Sequence, residues 1–77
     1  GADLTGADLR GANLRGAAME GAAMIGARLC GANLQRAWII DVDLTGADLS
    51  RADLTRACLE GTDLSAALTA GARLRAG

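Results

Sequence analysis

Large apolar residues recur at every fifth position of this 77-residue chain. In the frame Ala-Asp-Leu-Thr-Gly the third position is Leu4, Leu9, Leu14, Met19, Met24, Leu29, Leu34, Ile39, Leu44, Leu49, Leu54, Leu59, Leu64, Thr69 and Leu74. Thr69 is the one polar member of that series. The first position is Ala in thirteen of the fifteen pentads, with Val42 and Thr62 as exceptions. Asp or Asn is frequent at the second, and Gly at the fifth. A period of five fits neither regular element. On an α-helix five steps advance about 140°, which spreads the Leu positions around the whole cylinder. On a flat strand five is odd, so successive Leu residues would point to opposite faces. All of them reach one interior only if the chain bends once in each pentad. Repeated bends of one hand wind a solenoid, with positions one and three inward and the other three outward. Gly at the corner permits backbone angles closed to other residues.

This frame explains a composition that otherwise excludes an ordinary domain. Ala, Leu and Gly supply 18, 12 and 11 residues, while His, Pro, Phe, Tyr and Lys are absent and Trp occurs once. Two cysteines make no disulfide framework. The longest apolar runs, Ala22–Ile25 and Ala37–Ile40, are far too short for a membrane span. The formal net charge is −1, so composition points to no polyanionic partner.

The pentads Ala2–Gly6 (ADLTG), Ala12–Gly16 (ANLRG) and Ala47–Arg51 (ADLSR) resemble the A(D/N)LXX motif of the pentapeptide-repeat family, and the resemblance runs over residues 2–76. It weakens at Ala67–Gly71, where Leu68 and Thr69 are out of phase, and at Ala18, Ala23, Arg28, Trp38 and Cys58, which replace Asp or Asn. Periodicity leaves three and four bends per coil equally open. The resemblance implies four, an all-β right-handed quadrilateral β-helix of about 3.75 coils, roughly 18 Å long at the usual strand spacing. No capping helix is evident. Residues 1–77 are therefore expected to be a single repeat domain, a fragment of or module within a longer chain, with open coil ends that favour self-association.

On four faces the outward charges separate. Face one carries Asp3, Asp43 and Asp63, and face four carries Glu20, Asp41 and Glu60. Face two mixes Asp8 and Asp48 with Arg10, Arg28 and Arg51. Face three sets Asp53 against Arg15, Arg36, Arg56, Arg73 and Arg75. The best-known proteins of the resembled family mimic B-DNA, bind type II topoisomerases such as gyrase and protect them from quinolones. Duplex DNA presents one charge per about 1.7 Å, so a mimic of this length needs about ten. Faces one and four offer six, interrupted by Ala18, Ala23 and Trp38. Mimicry is thus the alternative, and a non-catalytic scaffold, spacer or self-association element the main reading.

The Arg column has no aromatic beside it for base stacking. Pairing of Arg with Asp across adjacent coils is its ordinary explanation, and no direct nucleic-acid binding is expected. Ser or Thr at the fourth position always follows Asp at the second, which suggests turn hydrogen bonds. Trp38 falls on an outward position. With Ile40, with Ile25 on the neighbouring face, and with Ala18, Ala23 and Cys58, it suggests an apolar patch rimmed by Glu20, Asp41 and Glu60. Such a patch is a candidate surface for a protein partner or a second copy. The expected core is the third-position series without Thr69. Without His or Tyr, the common general bases and zinc ligands are missing, so no catalytic residue, metal or cofactor is expected. Cys30 and Cys58 read as spectator thiols of a cytoplasmic protein.

Overall fold

A computed structural model describes residues 2–74; Arg75, counted above on face three, lies outside them. The chain pairs with itself through isolated parallel bridges at a constant offset of twenty residues. Asp3 pairs with Ala23 and Ala23 with Asp43, Ala18 with Trp38 and Trp38 with Cys58, Asn33 with Asp53 and Asp53 with Arg73. Twenty residues are four pentads, so the offset selects four sides over three, and the faces assigned above are the observed columns. Each rung uses the backbone on both sides of the bridge. Leu4 N–H donates to Ala23 O at 2.7 Å, and Ala23 N–H donates to Ala2 O at 2.9 Å.

Apart from the one at Ile39–Val42, each described corner is a four-residue turn closed by a bond such as Ala7 N–H to Leu4 O, 3.0 Å. Its third residue must take positive φ, as in a type II turn. Gly6 does so at +70°. Arg36, Asp41, Arg51 and Arg56 hold the same place at +54 to +61°. Left-handed backbone costs a residue with a Cβ about 1–2 kcal/mol, so coil stacking imposes these angles against local preference.

Two stretches depart from the pattern. At Ser65–Ala66, Ala66 does not have positive φ. Gly46 N–H accordingly donates to Ala66 O, where Gly26 N–H one coil earlier donates to the fourth-position carbonyl of Thr45. A turned-over peptide of this kind separates type I from type II turns. Asp43 and Asp63, next to it, form no bridge with each other, although Asp43 keeps its bridge to Ala23. The second departure joins the two exceptions to first-position Ala. Thr62 Oγ1–H donates to Ile39 O at 2.6 Å, and Val42 N–H donates to Thr62 Oγ1 at 3.1 Å. The hydroxyl of one coil thus replaces the direct turn bond of the coil before it.

The interior follows the frame. Met24, Leu29, Leu34, Ile39, Leu44, Leu49 and Leu54 are buried together with first-position Ala residues and Val42. Leu4, Leu9, Leu14, Met19, Leu59 and Leu64 are partly buried against them. Burial is complete where a coil has neighbours above and below, and partial where it has one. Leu74 corrects the expected core: it is 45% exposed. It stands in the outermost described coil, and no face-four strand of that coil covers it among the described residues. Thr69 is half-buried and Leu68 is 60% exposed, so at Ala67–Gly71 the frame holds and the residue types are exchanged.

Candidate interaction surface

Face four is built from three stacked rows. Gly16, Ala18 and Glu20 form the first, Arg36, Trp38 and Ile40 the second, and Arg56, Cys58 and Glu60 the third. The Ala18–Trp38–Cys58 bridges hold the rows in register. Trp38 is 54% exposed. A shallow groove of about 530 Å³ runs beside it, lined by Gly16, Arg36, Trp38, Arg56 and Cys58. The column of basic corners therefore does have an aromatic neighbour, contrary to the expectation drawn from sorting residues by face. A corner belongs to two faces, and Arg36 lies two residues before Trp38.

The rest of the expected patch is less concentrated. Ile25 is 42% exposed but stands on face one and does not line the groove. Ile40 and Cys58 are half-buried, and Glu20, Asp41 and Glu60 are exposed along the opposite edge of face four. The Asp41 carboxylate lies over Gly61 of the next coil, where a Cβ would overlap it. A second hollow, lined by Asp41, Asp43, Thr45, Gly61 and Asp63 among others, lies at the missing rung. Among the described residues no group of three or more acidic or cysteine side chains is arranged to hold a metal ion.

The second-position carboxylates and amides serve the corners. Asp3, Asp8, Asn13, Asn33, Asp43, Asp48, Asp53 and Asp63 each accept the backbone N–H two residues on, at 2.8–3.2 Å. The acceptor is thus Asp or Asn; Thr45 and Thr55 add hydroxyl donors to Asp43 and Asp53. Among the described residues the ion pair is Arg10 with Asp8, 2.7 Å apart within one pentad, and not the cross-coil pairing expected for Arg. Contact between coils on face three runs through an amide instead. Arg15 Nη1 donates to Gln35 Oε1 and Gln35 Nε2 donates to Asp53 Oδ2, both at 2.6 Å.

These bonds stabilise the charged carboxylates. The Arg10 side chain, then its backbone N–H, holds Asp8 at about 2, and Thr55 with Gln35 holds Asp53 at about 2. The Thr5, Thr45, Ser50 and Ser65 side chains and amides lower Asp3, Asp43, Asp48 and Asp63 as well. Between about pH 4 and pH 2 the unfolded chain therefore binds more protons than the folded one, and stability is lost as pH falls through that window. Thermal melts followed by circular dichroism should be level from about pH 7 to 5 and fall below about pH 4. Asp53→Asn keeps the amide acceptor, as at Asn13 and Asn33, and should make the fall shallower. An unchanged acid profile in this variant would contradict the assignment.

A four-sided parallel solenoid with Asp/Asn-capped corners defines a class of repeat protein, and the comparisons agree with it. The family profile of pentapeptide repeats (8 copies) matches residues 1–36 and 27–65. The chain belongs to the pentapeptide-repeat family, whose members form right-handed quadrilateral β-helices and are in general non-catalytic scaffolds. Among solved structures it is similar to the pentapeptide repeat protein Rfr23 from the cyanobacterium Cyanothece 51142, at 34% identity and a TM-score of 0.89 over 92% of this chain and 48% of that one. HetL of Nostoc sp. strain PCC 7120, involved in heterocyst differentiation regulation, is 36% identical with a TM-score of 0.57, over 96% of this chain and 37% of its own. A thylakoid-lumen pentapeptide repeat protein of Arabidopsis thaliana gives 29% identity and a TM-score of 0.55, over 92% and 57%. The chain thus spans about half or less of the length of the first two. No curated protein sequence matches it. Among the described residues no helix is long and apolar enough to cross a membrane.

Proposed function

We propose that residues 1–77 form one non-catalytic interaction module of about 3.75 coils within a longer protein, acting as a scaffold, spacer or self-association element. The observation that carries this reading is Trp38. A solenoid whose central third-position residues are buried presents its one aromatic outward, at the centre of face four and beside the Arg36 and Arg56 side chains. An exposed Trp in a rimmed groove has the features of a binding anchor. HetL, a relative with a regulatory role, is in keeping with a surface made for contact. Cys30 and Cys58 are free thiols, which suits a reducing compartment such as the cytoplasm. Topoisomerase mimicry is the weaker reading, since six carboxylates on faces one and four fall short of the charge of duplex DNA at this length.

Trp38→Ala tests the reading. Its melting behaviour should stay within about 0.5 kcal/mol of wild type, as for other exposed positions. Self-association by sedimentation, or capture of a protein partner, should weaken about tenfold or more. Unchanged sedimentation and unchanged capture would overturn the role given to Trp38.

A further inference from the structure

We propose that face four is a self-complementary docking surface that receives a second copy of this chain across a two-fold axis parallel to the solenoid axis; this rests on the interaction reading above and names the partner. The charges of the face carry the inference. Its rows run from basic corners at Arg36 and Arg56, through Trp38 and Cys58, to an acidic edge at Glu20, Asp41 and Glu60. A two-fold axis along the solenoid, lying between two such faces, keeps the height of each row and reverses its direction. Arg56 then meets the partner's Glu60, and the Arg36 end of the middle row meets the partner's Ile40–Asp41 end. Trp38 lies at the centre of its row, as Cys58 does of the next, with which it is in register. Reversal therefore sets Trp38 against the partner's Trp38 across the axis, beside the groove that it lines.

The other face-to-face arrangement, with the axis across the solenoid, leaves the rows unreversed. Centred on the middle row, it would set Arg36 against the partner's Arg36 and Glu20 against the partner's Glu60, which disfavours pairing. An isologous contact also closes at two copies, so it does not propagate. Size sets the strength. The molecule measures 28 × 22 × 20 Å, so one face buries at most roughly 400 Å² per copy, half of a standard interface. The dimer is accordingly a weak one, dissociating at about 0.1 mM or above.

Sedimentation equilibrium from about 10 µM to 1 mM should give a monomer–dimer equilibrium, weakened by added salt as expected for charge pairing. Trp38→Ala, Arg56→Glu and Glu60→Arg should each lower the association constant about tenfold. The double variant Arg56→Glu/Glu60→Arg exchanges the charges on both copies at once and should recover association to within about threefold of wild type. Circular dichroism of each variant distinguishes lost docking from lost fold. A wild-type chain that stays monomeric throughout overturns the dimer, while loss of partner capture by Trp38→Ala would leave the interaction reading intact. Assembly beyond two copies, or a double variant as weak as the single ones, overturns the two-fold arrangement.

Discussion

Leu34→Ala is expected to remove about 2–5 kcal/mol of stability, the range for truncating a buried Leu whose cavity cannot collapse. Domains carry roughly 0.05–0.15 kcal/mol per residue, about 4–12 kcal/mol for a chain of this length, so this loss is a large part of the whole. Leu34 is 1% exposed, with a stacked coil on either side and rungs to both. The backbone around it cannot move inward without breaking those rungs, so the vacated space remains. Leu74→Ala is the control. That side chain is 45% exposed, and its truncation should cost less than about 1 kcal/mol. Urea unfolding followed by far-ultraviolet circular dichroism compares the two, and equal losses would refute the layered core described here.

Thr62→Val should be the most costly of the polar substitutions. Its hydroxyl both gives and receives a hydrogen bond at one corner, to Ile39 O and from Val42 N–H. Valine keeps the volume but strands a backbone donor and acceptor in a half-buried place, at about 1–3 kcal/mol. Thr62→Ser retains the hydroxyl and should recover most of that difference in the same urea measurement. If Val and Ser variants unfold alike, the clamp contributes nothing and ordinary side-chain packing accounts for Thr62.

Much of this architecture was legible in the sequence because the period is strict. A five-residue spacing of Leu is incompatible with helix and flat strand, so it forces a bend and fixes which side chains point in. It did not fix the number of sides, since residues fifteen and twenty apart are comparably alike; the bridges at an offset of twenty decide that. Val42 and Thr62 stood out as irregular, but their partnership exists only once the coil brings them together. The Arg corners were hidden for a different reason. Nothing local favours positive φ at Arg36, Arg51 or Arg56, and only stacking imposes it. Likewise, Trp38 was legible as exposed, while its basic neighbours were assigned to another face although one corner serves both. The turned-over peptide at Ser65–Ala66 had only the missing fifth-position Gly as its signal, which Arg36 and Arg56 share without the same outcome.

The constant offset between paired residues also governs how the chain can come to its fold. Every rung closes a loop of the same length, because Asp3 finds Ala23 and Asp53 finds Arg73 across twenty residues. The entropy of closure grows with loop length, so no rung here is harder to reach than another, and no pairing has to wait for distant ends to meet. The costly event is the first closed turn; each later one adds against a surface already laid down. Folding of this chain is therefore winding from a nucleus, and it can begin wherever two neighbouring turns first touch.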